Sequence, residues 1–115
     1  MIKFKEKIKN LSTRRTFIYG LILSAVIEGI TIFVRFGLGV EATRDTRWLS
    51  PYTFGIRDHH LYYGILLLLI SVFVSDKFWK NSFFIIGISC FVSDLVHHFV
   101  VLWLITGSPQ FDLTY

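Results

Sequence analysis

The sequence predicts an all-α integral membrane protein with three transmembrane helices, its N-terminus inside and its C-terminus outside. Of the 115 residues, 53% are hydrophobic and 17% are aromatic, and the mean hydropathy is positive. The apolar residues fall in long blocks rather than at amphipathic spacing, which is typical of membrane spans. Only Pro51 and Pro109 interrupt the chain. We therefore expect a single membrane domain over residues 1–115.

The first segment, residues 1–14, combines basic residues with a short apolar face. Phe4, Ile8 and Leu11 fall at i, i+4 and i+7, which places them on one side of a helix. This pattern predicts a possible helix that lies on the membrane surface, and a solvated tail fits the composition equally well. The basic residues expected to contact anionic lipids are Lys3, Lys5, Lys7, Lys9, Arg14 and Arg15.

Three apolar blocks predict transmembrane helices at residues 16–40, 59–75 and 82–106. A helix needs about 20 residues to cross the hydrocarbon core, and the first and third blocks meet this length. The fifteen residues from Leu61 to Ser75 are too few. The second helix is therefore expected to begin at or before His59, which brings His59 and His60 to the membrane boundary.

Basic residues in the short flanks predict the orientation, because Lys and Arg collect on the cytoplasmic side. Six precede the first span, and Lys77 and Lys80 lie between the second and third. This distribution predicts a multi-pass protein of the cell membrane whose N-terminus faces the anionic lipids of the cytoplasmic leaflet. The formal net charge of +4 follows from this topology. Since no basic recognition module accompanies the charge, we expect no nucleic-acid binding.

Polar and small residues line one side of each predicted span. On the first span these residues are Ser24, Glu28, Thr31, Arg35 and Gly39. On the second and third they are His60, Gly64 and Ser71, and Gly87, Cys90, Asp94, His97 and His98. Small residues let helices approach closely, and buried polar groups then find partners across the interface. The three faces are therefore expected to meet one another or a partner protein.

Three charged residues, Glu28, Arg35 and Asp94, form a predicted intramembrane charge network. A charge in the hydrocarbon core costs at least about 2.5 to 3.5 kcal/mol, so each one needs compensation. Glu28 and Arg35 lie two turns apart on one face, which predicts a structural ion pair or pairing with Asp94. A proton or ion path is the functional alternative for these groups.

All four histidines of the chain lie in two groups, DHH at residues 58–60 and SDLVHH at residues 93–98. Imidazole and carboxylate groups together ligate transition metals such as zinc and copper. The predicted ligands are His60, Asp94 and His98, with His59, His97 and Glu28 as further candidates. The alternative is a hydrogen-bond network that holds the helices together without any cofactor.

The stretches IRDHHLYYGILLLLI and GISCFVSDLVHH resemble small multi-pass membrane proteins of archaea and bacteria. Those proteins carry an HHxxxG segment that opens one helix and an acidic residue after a glycine-bearing helix. The resemblance covers parts of the second and third spans and implies no particular activity. The composition and the Asp/His grouping are also similar to small subunits of membrane metalloenzyme complexes, such as copper membrane monooxygenases.

Three short helices hardly enclose a pore or an alternating-access site. The sequence therefore favours a structural or accessory subunit of a larger membrane complex or homo-oligomer, with the loop WLSPYTFGIRD and the tail SPQFDLTY as docking surfaces or interfacial anchors. The alternatives are a metal-binding protein or metalloenzyme subunit, and a proton or ion conductor. The sequence contains no nucleotide loop, nucleophile elbow or CxxC motif, so we do not expect an enzyme that acts on its own.

Overall fold

The computed structural model describes residues 2–115, apart from the side chains of residues 42 and 43. The α-helices are α1 (Ile2–Lys9), α2 (Thr13–Ile32), α3 (Ala42–Asp45), α4 (His60–Phe73), α5 (Lys77–Val96) and α6 (Trp103–Thr106). A π-helical segment, Phe33–Gly37, extends α2, and a second, His97–Leu102, joins α5 to α6. A short 3₁₀ turn covers Arg47–Leu49. The all-α prediction is confirmed.

Two continuous helices are long and apolar enough to cross a membrane. One is α2 with its π-helical extension, Thr13–Gly37, and the other runs from α5 through α6, Lys77–Thr106. Their 25 and 30 residues correspond to about 38 and 45 Å at 1.5 Å per residue, more than the roughly 30 Å of hydrocarbon in a bilayer. Most of the predicted spans 16–40 and 82–106 lies within these helices.

Side-chain caps explain why both helices begin before their apolar blocks. The Ser12 side chain accepts a hydrogen bond from the Arg15 amide at 3.3 Å at the start of α2. At the start of α5, Asp76 Oδ1 accepts bonds from the amides of Phe78 and Trp79 at 3.0 and 3.2 Å. Such caps satisfy amide groups that have no partner within the helix. Hydrophobicity alone therefore placed these boundaries several residues too late.

The helix α4 is shorter than the predicted second span. It begins at His60 because His59 is the extended N-cap residue, and it ends at Phe73. Its 14 residues measure about 21 Å, less than the thickness of the hydrocarbon core. By length and composition, two helices of the described chain rather than three meet the requirement for a membrane span.

The central helix is α5, which packs against both α2 and α4. In the described chain, no Cα atom of α2 lies within 8 Å of a Cα atom of α4. Glycines allow the close approach of α4 and α5: a Cβ atom on Gly64 would lie 2.7 Å from the amide nitrogen of Phe91 and 2.8 Å from the carbonyl oxygen of Gly87. The two backbones therefore meet at Gly64, one turn away from His60.

Polar side chains fill most of the interior of the described chain and large apolar side chains cover its exterior, which is the reverse of the usual pattern for a soluble domain. Leu102 is the only hydrophobic side chain among the core residues of the described chain. The buried polar or charged residues are Thr16, Ser24, Glu28, Arg57, His59, Ser71, Ser89, Ser93, Asp94 and His98. Large apolar side chains such as Ile22, Ile30 and Leu66 are more than half exposed. Because soluble proteins bury such side chains preferentially, this exterior is suited to lipid.

The buried hydroxyl groups do not link the helices as the sequence led us to expect. Ser24 donates to the carbonyl oxygen of Leu21 at 2.6 Å, and Ser71 and Ser89 donate in the same way three residues back, at 2.7 Å each. These side chains satisfy their hydrogen bonds within their own helices. These serines contribute to the interface through their small size, and the side-chain bonds that join the polar faces of the long helices come from ionisable residues such as Glu28 and His97.

Candidate metal site

Asp94 lies at the centre of a histidine cluster at one end of the helical bundle. The residue is 2% exposed. Its Oδ2 atom lies 3.5 Å from Nδ1 of His59, and its Oδ1 atom lies 3.5 Å from Nδ1 of His60 and 3.7 Å from Nε2 of His98. Three of the four histidines thus surround a single buried carboxylate.

The positions of these residues follow from the packing of α4 against α5. A connection of only three residues, 74–76, makes the two helices antiparallel. Gly64 lies beside Phe91. His60, one turn before Gly64 on α4, therefore lies level with Asp94, which follows Phe91 on α5. Asp94 and His98 are four residues apart, so both face the same side of their helix.

The outer ring nitrogens of two histidines are held by the segment that follows α6. Nε2 of His59 lies 2.8 Å from the carbonyl oxygen of Asp112, and Nδ1 of His98 lies 2.9 Å from that of Pro109. A carbonyl oxygen only accepts hydrogen bonds, so each of these nitrogens donates a proton. In the neutral rings the other nitrogens, His59 Nδ1 and His98 Nε2, then carry free lone pairs beside Asp94.

Two atoms at the centre of the cluster are buried and have no hydrogen-bond partner in the described chain, His59 Nδ1 and Asp94 Oδ2. Their separation of 3.5 Å is long for a charge-assisted hydrogen bond, which measures about 2.7 to 2.9 Å. Two ligand atoms on a tetrahedral zinc ion, each bonded at about 2.0 to 2.2 Å, lie roughly 3.4 Å apart. The observed distance thus agrees better with a shared ion than with direct hydrogen bonding.

A group of three residues, His59, Asp94 and His98, could hold a metal ion. One ligand atom from each lies within 4.8 Å of the other two, and all three residues are buried. This group shares Asp94 and His98 with the ligand set expected from the sequence and has His59 in the place of His60. The His60 side chain is 60% exposed and lies against the other oxygen of the carboxylate.

A cavity of about 100 Å³ adjoins the cluster. His59, Asp94 and His98 line it together with His60, His97 and Arg35. Since a water molecule takes up about 30 Å³ in the liquid, the cavity has room for a few water molecules beside the three ligand atoms.

His97 faces α2 instead of the metal-binding group. Its Nδ1 atom lies 2.9 Å from Oε1 of Glu28, and both side chains are largely buried. Adjacent residues on a helix diverge by about 100°, which explains why His97 and His98 have different partners. The second oxygen of Glu28, Oε2, is buried without a hydrogen-bond partner among the described residues. The Glu28–His97 pair therefore connects α2 to the central helix next to the cluster.

The expected ion pair between Glu28 and Arg35 is absent from the ion pairs of residues 2–115. Arg35 instead pairs with Glu41 at 3.2 Å and donates to the side chain of Gln110 at 3.2 Å. Seven residues of α-helix span about 10 Å, which is a long distance for two side chains to bridge directly. The π-helical segment Phe33–Gly37 also alters the angular spacing around Arg35.

The loop between α2 and α4 contains a second ion pair. Nε and Nη2 of Arg44 donate to the Asp45 carboxylate at 3.0 and 2.8 Å, and the Glu41 amide donates to it at 2.7 Å. These bonds lower the pKa of Asp45 to about 2. Asp45 is therefore ionised at neutral pH and compensates the charge of Arg44.

Sequence reasoning missed the contribution of the C-terminal tail to this site. The Phe111 ring stacks on His59 with a centroid separation of 4.3 Å and meets His98 edge-on at 5.2 Å. Arg57, which is 4% exposed, donates to the carbonyl oxygen of Gln110 at 3.0 Å and so fixes the tail from the other side. The sequence led us to expect a docking surface or interfacial anchor here, and no spacing or motif in it indicated that the tail folds over the histidines.

The basic residues expected at the membrane surface lie far from the cluster along the chain, on α1 and at the start of α2. All six are exposed: Lys3, Lys5, Lys7, Lys9, Arg14 and Arg15. The segment forms the helix α1, and Asn81 of α5 donates to the carbonyl oxygen of Ile8 at 2.9 Å. The basic end and the histidine end are thus opposite ends of the central helix.

Comparisons of the chain with models of known families, with curated proteins and with solved structures found no match. The resemblances noted in the sequence therefore assign no family, and the proposals below depend on the geometry of the chain itself.

Proposed function

We propose that this protein is a three-span membrane protein that binds a divalent transition-metal ion through His59, Asp94 and His98. One observation carries the proposal: His59 Nδ1 and His98 Nε2 approach the buried Asp94 carboxylate at distances suited to a shared ion, and His59 Nδ1 and Asp94 Oδ2 have no hydrogen-bond partner among the described residues. Without an ion, each unsatisfied buried group would cost about 1 to 3 kcal/mol. A bound cation satisfies both groups at once.

The fixed orientation of the histidines supports the same proposal. Histidines that ligate metals usually donate their second ring N–H to a carbonyl or carboxylate group. Here the carbonyl oxygens of Asp112 and Pro109 provide that contact for His59 and His98. Zinc and copper both suit imidazole and carboxylate ligands. Three protein ligands leave a coordination position for water, and an ion bound in this way supplies Lewis-acid chemistry.

The connection between the helices supports three passes through the membrane. The extension of α2 ends near the histidines, where Arg35 contacts Gln110. The helix α5 begins at the other end, where Asn81 contacts the carbonyl of Ile8. The chain must return between these ends, and α4 occupies that path. Because α4 measures only about 21 Å, we propose that the bilayer thins locally or that flanking residues complete the crossing.

Elemental analysis of the full-length protein, purified in detergent and dialysed against zinc or copper, tests the proposal. We expect about one ion per chain, with most of it lost in Asp94→Asn and in His98→Ala. His97→Ala is the matched control, because it removes the neighbouring imidazole, which faces Glu28. Metal at background in the wild-type protein, or equal losses in His97→Ala and His98→Ala, would contradict metal binding by this group.

The role of an accessory subunit in a larger complex remains a second candidate. It is favoured by exposed aromatic side chains on the loop between α3 and α4: Trp48, Tyr52 and Phe54 are 68%, 78% and 94% exposed. Exposed apolar patches often mark contacts with other proteins or with membranes. Extraction in a mild detergent tests this role, since a subunit should co-purify with stoichiometric partners or copies of itself. A stable monomer would argue against it.

A further inference from the structure

The end of the bundle opposite the histidines contains a basic recess of about 410 Å³. Lys9 of α1 lines it together with Lys77 and Lys80 of α5. None of these three lysines forms an ion pair in the part of the chain that the structure describes. The neighbouring carboxylate of Asp76 is engaged in capping α5. The recess therefore presents three lysine charges beside one carboxylate, and its net charge is positive.

Asn81 fixes the shape of this recess. Its Nδ2 atom donates to the carbonyl oxygen of Ile8 at 2.9 Å and lies 3.5 Å from those of Lys9 and Leu11. This contact holds the end of α1 against α5. Lys9 is consequently brought beside Lys80 by the fold, although the two are distant in the sequence.

An apolar groove of about 470 Å³ begins where the recess ends. Its walls include Thr16 of α2, Leu68 and Val72 of α4, and Phe84 and Ile88 of α5. The groove exists because α2 and α4 flank α5 with their backbones more than 8 Å apart in the described chain. Lys80 and Asn81 line both the groove and the recess, so the two spaces share a boundary.

We propose that the recess and the groove together bind one anionic phospholipid. Its phosphate lies among Lys9, Lys77 and Lys80, and one acyl chain lies along Leu68, Val72 and Phe84. Basic pockets between membrane helices bind anionic headgroups, and an acyl chain packed in the groove adds van der Waals contacts with its walls. A free anion would use only the lysines, whereas a phospholipid uses both the lysines and the adjoining apolar groove, so the two together favour a lipid. The inference depends on the proposed membrane location and is independent of the metal.

Native mass spectrometry of the delipidated, full-length protein tests this site with dioleoyl phosphatidylglycerol and dioleoyl phosphatidylcholine. We expect one phosphatidylglycerol to be retained at least about tenfold more strongly than phosphatidylcholine. The triple variant Lys9→Gln, Lys77→Gln, Lys80→Gln should lose this preference. The control Lys3→Gln, Arg14→Gln, Arg15→Gln removes the same charge from exposed positions outside the recess and should keep it. Equal retention of the two lipids, or equal loss in both triple variants, overturns the proposal.

A second pair of variants separates a lipid from a simple anion. Val72→Trp should obstruct the groove and weaken phosphatidylglycerol retention several-fold, whereas Phe73→Trp, at a neighbouring position 83% exposed, should not. Unchanged retention in Val72→Trp, or displacement of the lipid by equimolar inorganic phosphate, would show a phosphate site alone and would overturn the proposal.

If the triple variant fails to fold, Lys80→Gln, at the shared boundary, should still reduce the preference several-fold. Recovery of the protein in carbonate-washed membranes without any lipid preference would refute this inference while leaving the membrane location intact.

Discussion

Nδ1 of His98 lies 2.9 Å from the carbonyl oxygen of Pro109, a residue eleven positions later that follows α6. The segment after α6 thus turns back over the histidine cluster, where it also accepts a hydrogen bond from His59. These two contacts determine which nitrogen of each ring remains available beside Asp94. The C-terminal tail is therefore part of the candidate site rather than an appendage of the bundle.

The first prediction concerns this tail. Phe111→Ala removes the ring that stacks on His59, and deletion of residues 109–115 also removes both carbonyl contacts. We expect the affinity for the metal to fall by about 10- to 100-fold, because groups that orient ligands contribute that much at metal sites. Isothermal titration with zinc measures the loss. Phe54→Ala is the control, since that side chain is 94% exposed, and an equal loss there would refute the role of the tail.

The second prediction distinguishes two adjacent histidines. His59 is buried with its Nε2 atom bonded to Asp112, whereas the His60 side chain is 60% exposed. His59→Ala should therefore reduce zinc affinity at least about tenfold more than His60→Ala, because pre-oriented ligands contribute more than mobile ones. The same titration provides the measurement. A larger loss in His60→Ala would instead support the ligand set expected from the sequence.

The third prediction concerns the contact between α4 and α5. A Cβ atom on Gly64 would lie 2.7 Å from a backbone nitrogen of α5, so Gly64→Ala must separate the helices. We expect a loss of about 1 to 3 kcal/mol in the free energy of unfolding, typical of overpacking, and weaker metal binding. Unfolding in detergent mixtures, followed by circular dichroism, measures the loss.

Gly29 provides the matched control for Gly64. It also lies within a helix, yet a Cβ atom there would meet no atom within 4 Å. Gly29→Ala should leave stability unchanged or raise it by about 0.5 to 1 kcal/mol, because alanine has the higher helix propensity. If both substitutions have the same effect, the close contact at Gly64 does not determine stability.

The sequence predicted the helices better than it predicted the site. Apolar blocks identify long helices because burial in lipid depends on composition over about 20 residues, and both long helices were found in this way. The polar side of each span also predicted the packed faces, on which Ser24, Gly64 and Asp94 are buried. Helix periodicity suffices for such assignments, since it depends only on local spacing.

The sequence did not indicate that His59, rather than His60, joins Asp94 and His98 in the buried group. This arrangement depends on the N-cap geometry of α4 and on backbone carbonyls of the tail, which no residue type in the sequence predicts. The sequence also did not indicate that Arg35 pairs with Glu41, because this pair depends on the π-helical segment that contains Arg35 and on the loop that follows it. Contacts made by loops and backbone atoms depend on the complete fold, so residue types and spacing do not reveal them.

The fourth prediction separates a structural role of Glu28 from proton conduction. Glu28 and His97 form a largely buried pair at 2.9 Å, so Glu28→Ala should destabilise the protein by about 1 to 3 kcal/mol. His97→Ala should add little in that background, because the pair has already been broken. A double-mutant cycle in detergent unfolding measures this coupling, and purely additive effects would contradict the contact.

Glu28→Gln completes this test because it retains a hydrogen-bonding group for His97 but cannot carry the ionisable proton. If the pair is structural, this variant should be less destabilised than Glu28→Ala, and proteoliposomes should show the same proton flux for the wild-type protein and the variant. Flux above that of protein-free vesicles, lost specifically in Glu28→Gln, would instead support the proton path. Asp94→Asn then locates the path: a second loss of flux would extend it to the histidine cluster, whereas retained flux would confine it to the contact between α2 and α5.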